Sequence, residues 1–310
     1  MTLHPFYIGI DISKAYLDIF EESTSKHLQI ENTSEAISAW LSAFPDMPSL
    51  NIIFEATGRY DRKLTHALHT LKIRFSRVNP ARARDFARAL GQMAKTDQID
   101  ARMLADMGKC LKPDATTQRA PERDQLAALH KRRDELVDTR KKERQRLAQA
   151  LAEEHASIAR HISWLNEEIK FIEQKRDTLL KETAEFTHDN KLLRSIPGVG
   201  PITATTLLAL MPELGRASPK AIAALAGLAP FNVDSGQFRG HRAIKGGRKR
   251  VRNALYMAAV TAARSNSHFA SFAQALIKRG KPFKAAMIAL ARKILITANA
   301  LLRDGVPFNA

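Results

Sequence analysis

Phe6–Glu31 reads FYIGIDISKAYLDIFEESTSKHLQIE, and its pattern decides how the first third of the chain folds. Phe6–Ile12 is short, aromatic and β-branched, the signature of a buried strand, and Ala15–Glu21 and Lys26–Glu31 read as two more. The DISK loop between the first two is short enough for a hairpin. Beyond the meander, Thr33 can cap a helix through about Phe44, and NIIFE (Asn51–Glu55) forms a fourth strand. A second helix is expected from Gly58, a fifth strand over Ile73–Val78, and a helical stretch from Pro80 past Lys95. Three meandering strands followed by alternating helix and strand predict an α/β domain with a mixed sheet over residues 1–112, in the element order of a ribonuclease H-like domain.

Acids fall where such a domain can use them. Asp11 lies near the end of the first strand and Glu55 closes the fourth, while Asp97 and Asp100 in KTDQIDARMLAD are three apart and share one helical face. Carboxylates at adjacent strand ends, joined by a pair on a packing helix, can hold hard divalent cations, two Mg²⁺ ions or Mn²⁺, that clamp the oxygens of a phosphodiester. The commoner fate of a single aspartate is a strand-end or capping role, but an acid closing a run as apolar as IIFE needs a partner or a metal. Arg59, Lys95 and Arg102 either touch nucleic acid or neutralise these carboxylates. His66 and His69, with no third ligand in view, read as an exposed pair.

After Pro121 no glycine or proline occurs before Phe186, so residues 113–187 are expected to form long helix. Ile158, Ile162, Leu165, Ile169, Ile172, Arg176, Leu179, Thr183 and Phe186 alternate spacings of four and three, a heptad seam with one charged slip at Arg176. The seam is weaker through Leu126, Leu129, Leu136 and Leu147, and it fades around Glu153–Ser157, which suggests two helices folded as a hairpin. The expectation is a coiled-coil arm, either for self-association as a dimer or tetramer or as an intramolecular spacer.

Residues 188–310 carry 19 Lys/Arg against 4 Asp/Glu, whereas the first 187 residues carry 30 against 28. Nearly all of the formal charge of +17 therefore belongs to the last third, the footprint of a polyanion-binding surface. Within it, Leu192–Leu210 (LLRSIPGVGPITATTLLAL) resembles a helix-hairpin-helix element, in which the amides around Gly198 and Gly200 would meet a DNA phosphate. Helices are expected over Ala217–Leu228, Lys249–Arg264, Phe269–Arg279 and Phe283–Leu302, with Met257 and Phe272 in the core. Between the first two lies GLAPFNVDSGQFRGHRAIKGGRKRVR (Gly227–Arg252), in which Gly236–Arg252 holds seven Lys/Arg and no acid. Ser235 stands there as a hydroxyl to be held at a phosphodiester, or as an ordinary turn serine. Arg239, His241, Arg242, Lys245, Arg248, Lys249, Arg250 and Arg252 would hold phosphates, while Gly236, Gly240, Gly246 and Gly247 let the backbone approach them closely.

One cysteine, Cys110, excludes a disulfide framework and a cysteine-based zinc site. The opening MTLHPFYIGIDISK lacks a signal-peptide plan, and no apolar run approaches the ~20 residues that span a bilayer. The expectation is a soluble, cytoplasmic protein without membrane partners.

GIDISK with Asp11, FEATGRY with Glu55, KTDQIDARMLA with Asp97 and Asp100, IPGVGP, GLAP followed by Ser235-Gly236, and GGRKRVRNALY together resemble the IS one-ten family of transposases, including the Piv-type DNA invertases. The resemblance runs in order over nearly the whole chain. It implies a RuvC-like domain whose DEDD acids fall on Asp11, Glu55, Asp97 and Asp100, a coiled coil, and an all-α transposase domain whose serine falls on Ser235. It further implies a bacterial or archaeal recombinase, nucleoid-associated when active, that acts on donor and target DNA guided by a structured noncoding bridge or seeker RNA. From this follows a mechanism of metal-assisted transesterification through a phosphoserine, the serine being activated by metal coordination or else by His241, which is a candidate general base or phosphate contact. The nearest rivals are a RuvC-type endonuclease using water, a site-specific invertase, and a non-enzymatic nucleic-acid-packaging protein.

Overall fold

The computed structural model describes residues 6–44, 50–91, 97–116, 120–231, 234–235, 238–239, 243–265 and 267–309, with the backbone alone described between 231 and 243. Compactness divides the chain into two units, Met1–Gln118 and Arg119–Ala310.

The first unit is built on five strands, β1 (Phe6–Ile12), β2 (Tyr16–Glu21), β3 (Lys26–Glu31), β4 (Leu50–Glu55) and β5 (Phe75–Val78), in the order β3-β2-β1-β4-β5. β1, β2 and β3 form an antiparallel meander, and β4 and β5 join parallel to β1, so the sheet is mixed as the sequence led one to expect. Period-two alternation sorts β1 into two faces. Ile8, Ile10 and Ile12 pack with Ile37, Leu41 and Leu64 from α1 (Ser34–Leu41) and α2 (Arg62–Thr70). Tyr7 packs instead with Met103, Leu104 and Met107 of α4 (Asp97–Leu111) and Ala83 of α3 (Pro80–Ala89). The segment after α4 runs along β5, where Ser76 Oγ donates to the carbonyls of Pro113 and Asp114 and Thr116 Oγ1 accepts from the Arg77 amide.

Several helix boundaries differ from expectation, among them the end of the first helix, at Leu41 where about Phe44 was expected. The helix expected from Gly58 begins at Arg62, because Gly58 is left-handed (φ +78°) and holds a turn. The helix expected to run from Pro80 past Lys95 ends at Ala89, with Gly91 at φ +71° acting as the breaker. Lys95 lies outside the described residues.

The second unit begins with a helical hairpin, α5 (Pro121–Leu147) and α6 (Ala152–Glu182). Its antiparallel register is set by Arg133 Nε to Glu173 (2.9 Å) and Arg140 Nη1 to Asn166 (2.8 Å). Leu136, Leu165, Ile169 and Ile172 fill its seam, and Arg176, the charged slip, is buried against Asp177 (2.7 Å). The turn falls at 148–151, a few residues earlier than expected, because the Glu154 carboxylate accepts the Leu151 amide (3.0 Å) and starts α6 there. The foot of the hairpin merges with the helices that come after it in the chain. Leu126, Leu180 and Phe186 belong to one core with residues of α7 (Ala184–Arg194), α8 (Pro201–Leu210), α9 (Pro219–Leu225), α10 (Lys249–Ala262), α11 (His268–Lys278) and α12 (Phe283–Asp304). Residues 119–187 thus share a compact unit with 188–310.

α12 is long and apolar enough by composition to cross a membrane, contrary to the expectation that no such run exists; half of its apolar window is buried, with Leu290, Ile294 and Ala298 in the core. Met257, expected in the core, is 59% exposed on α10, whereas Phe272 is half-buried under the Lys293 ammonium (4.4 Å).

Candidate functional site

Asp11 shares the face of β1 that carries Tyr7 and Gly9, and Gly9 explains how carboxylates on separate elements come together. A β-carbon on Gly9 would overlap the carbonyl oxygen of Ala101 and the amide nitrogen of Ala105, so the backbone of α4 rests directly on β1. α4 runs antiparallel to β1, since Gly108 lies over Tyr7 while Ala101 and Ala105 lie over Gly9. Its first turn, bearing Asp97 and Asp100, is therefore delivered to the Asp11 end of the strand. Burial raises the Asp11 pKa to about 6, and the charges of Asp100, Asp97 and Asp18 push the same way against a hydrogen bond from the Ile12 amide.

Glu55 ends β4, one position beyond the last β1–β4 partners, Ile10 and Phe54, which places it beside Asp11 across the parallel ladder. The sequence reading missed Asp18. It is the cross-strand partner of Asp11, is 6% exposed, and accepts a hydrogen bond from Gln29 Nε2 (2.8 Å). The signal was present: Asp11 and Asp18 are equidistant from the centre of the hairpin loop, so a tight turn must pair them. Arg102 is exposed over the Phe20 ring, and of the two histidines His66 is exposed and His69 lies edge-on to Phe75.

Among the described residues no three carboxylate, imidazole or thiol groups stand ready-made around a common point. The donor chemistry nonetheless fits a hard divalent cation, because the groups are all carboxylates and their mutual repulsion and burial hold a proton on Asp11 to unusually high pH.

The serine segment is a pair of nested hairpins. The outer one pairs β6 (Pro230–Phe231) with β9 (Ala243–Ile244), and the inner one pairs β7 (Asp234–Ser235) with β8 (Phe238–Arg239), Ser235 facing Phe238 in the register. The side chains of Ser235 and Arg239 and all of Gly236, Gly240, His241 and Arg242 lie outside the described residues.

The cations beyond the hairpins are not alike. Lys245 and Lys249 are exposed. Arg250 is 3.5 Å from Asp134 of α5, and Arg252 donates to the Gly246 carbonyl (2.7 Å). Arg248 forms a bidentate fork with Glu213, both bonds at 2.6 Å. Gly198 and Gly200 also differ: a β-carbon on Gly198 (φ +85°) would collide with Ala258 and Ala262 of α10, whereas Gly200, the N-cap of α8, faces open space.

Comparison with known proteins defines the class. Residues 8–156 match the transposase model of the IS110 DEDD type, and residues 190–274 match the model described as Transposase IS116/IS110/IS902 family. Over 98% of its length the chain is 30% identical to the pilin gene-inverting protein of Moraxella bovis, of which it covers 97%, and it matches that of Moraxella lacunata to the same extent. It is 30% identical over 152 residues to the insertion element IS110 uncharacterized 43.6 kDa protein of Streptomyces coelicolor, covering 36% of that protein. These matches make the chain an enzyme of the DNA transposase and recombinase class. The chain belongs to the IS116/IS110/IS902 transposase family. Its DEDD domain points to dependence on a divalent metal.

Proposed function

We propose that this enzyme is an RNA-guided recombinase of an insertion sequence that exchanges DNA strands through a serine ester. The observation that carries the reading is the gathering of Asp11, Asp97 and Asp100 around the Gly9 contact, in a chain that also bears the Ser235 hairpin within a run of cations. Asp11, Glu55, Asp97 and Asp100 would hold magnesium or manganese, which when bound supplies Lewis-acid stabilisation of charge at the phosphoryl oxygens. Ser235 Oγ attacks the phosphorus, one P–O bond to a sugar breaks, and the departing sugar oxygen takes up a proton while the serine proton passes to a base, for which His241 is placed in sequence. A hydroxyl of the incoming strand then attacks the phosphoserine and releases the enzyme. Lys245 and Lys249, both exposed, would hold the phosphate backbone.

Donor and target DNA are the substrates in this reading, and a structured noncoding RNA supplies sequence choice by base pairing. The exposed Trp164 and Phe171, seven residues apart on the outer face of α6, support self-association of the hairpin as a coiled coil in a dimer or tetramer. The exposed Gly200 end of α8 supports a helix-hairpin-helix phosphate contact. The cytoplasm is the expected compartment.

The test is to trap the ester. Protein purified with its nucleic acid and given DNA flanking its gene should form a covalent adduct that chelation abolishes and that Ser235→Ala and Asp11→Asn each eliminate. An adduct that persists in Ser235→Ala would end the serine mechanism. RNA copurifying with the protein should contain loops complementary to the joined DNA. A second reading, inversion of a fixed segment, is favoured by the full-length similarity to the pilin gene-inverting proteins. The joined products decide between them, since inversion conserves the segment's location.

A further inference from the structure

Two of the cations read as phosphate contacts are engaged by other groups of the protein, and they sit where the serine segment is anchored. Gly227, which enters the segment, and Gly247, which leaves it, cross so closely that a β-carbon on Gly247 would overlap the amide of Gly227 and one on Gly227 would overlap the Gly246 carbonyl. Both glycines are left-handed at φ +69°. Just beyond the crossing, the Arg248 amide donates to the Leu225 carbonyl (2.9 Å) and its guanidinium forks onto Glu213, with Met211 Sδ at 3.1 Å from Nη1. Arg252 closes the knot on the Gly246 carbonyl. The strands it supports are two residues long, too short to fix their own orientation.

We infer that Glu213 and Arg248 are positioning residues: their ion pair, with the Gly227–Gly247 crossing, clamps both ends of the Ser235 double hairpin and aims it, and Arg248 is not a nucleic-acid contact. This rests on the reading of Ser235 as the nucleophile. A planar guanidinium matched to both carboxylate oxygens restricts rotation as well as distance. Glu213 lies inside the matched stretch 190–274 but outside the short motifs that carry the resemblance, and its role is argued from its geometry.

The experiment compares Glu213→Gln, Arg248→Gln and Arg248→Lys, each in the protein purified with its nucleic acid. Three readouts are taken well below each variant's melting temperature: rate of adduct formation, rate of strand transfer, and affinity for an arbitrary DNA duplex across a salt series. For a positioning pair, adduct formation and strand transfer fall on the order of 10²-fold in both glutamine variants. The double variant falls no further, Arg248→Lys lies between, and the salt slope stays at its wild-type value. If Arg248 binds phosphate instead, Arg248→Gln lowers the salt slope by about one while Glu213→Gln transfers strands at the wild-type rate, which overturns the inference. Failure of the serine reading is separate: Ser235→Ala would transfer strands normally, whatever Glu213 does.

Discussion

The two regions to which the proposed chemistry is assigned are held in opposite ways. The carboxylates of the first unit stand on a five-stranded sheet, and their approach is fixed by a helix backbone pressed onto a bare glycine. The described strands of the Ser235 region are two residues long, and at its root lie a crossing of two glycines and one ion pair, from which we infer its orientation. The acid cluster is seated on a packed strand and helix, whereas the serine that the proposed reaction uses is carried on short strands anchored at their root. The difference predicts that damage to the first region is global and damage to the second is local.

The strongest way to break this contrast is Gly9→Val. Any side chain there drives α4 off the sheet, so denaturant unfolding of the first unit should show a loss of about 3 kcal/mol, with loss of all strand transfer. A Gly9→Val protein of wild-type stability would remove the basis for the acid cluster. Next comes Gly247→Ala, which adds a clash with Gly227 to a left-handed φ. It should abolish adduct formation while the helical core melts within a few degrees of wild type, as followed by circular dichroism.

A third effect concerns pH. His130 is buried at the foot of α5, 3.3 Å from Thr206 Oγ1 and 3.7 Å from Asp134. Burial lowers its pKa, Arg133, Arg250 and Arg176 add to the lowering, and Asp134 opposes it. The folded protein therefore takes up this proton less readily than the unfolded chain. The contribution to stability is complete above the ordinary histidine value of 6.5 and is lost as the pH falls below it. The melting temperature of the wild type should drop between about pH 7 and about pH 5, and His130→Gln should flatten that slope. The smallest effect is expected from Met257→Ala, which removes an exposed side chain and should change stability by no more than about 0.5 kcal/mol.

What the sequence disclosed followed the range of the physics. Strands such as Phe6–Ile12 and helices such as Lys249–Ala262 are written in local periodicity, and the sheet expected from them is the one found. Acids closing apolar runs, Asp11 and Glu55, announce themselves because an unpartnered charge is costly there. Asp18 escaped because one polar residue in an alternating strand looks like its solvent face, until the hairpin register sets it opposite Asp11. The break after Ala89 was lost because the residues around it are good helix formers and Gly91 alone carries the stop. Glu213, Asp134 and the partnership of Gly227 with Gly247 could not be read at all, since each depends on contacts between residues far apart in the chain. The same holds for Arg248, whose neighbours in sequence suggest phosphate while its neighbours in space include a carboxylate.

The seat of α4 on β1 also limits what evolution or a designer can write on that helix. Ala101 and Ala105 have no exposed surface and share their cluster with Phe20, with the strand's main chain directly beneath. A saturation library at these two positions should return almost nothing bulkier than serine, while Arg102 between them, pointing outward, should accept most of the alphabet.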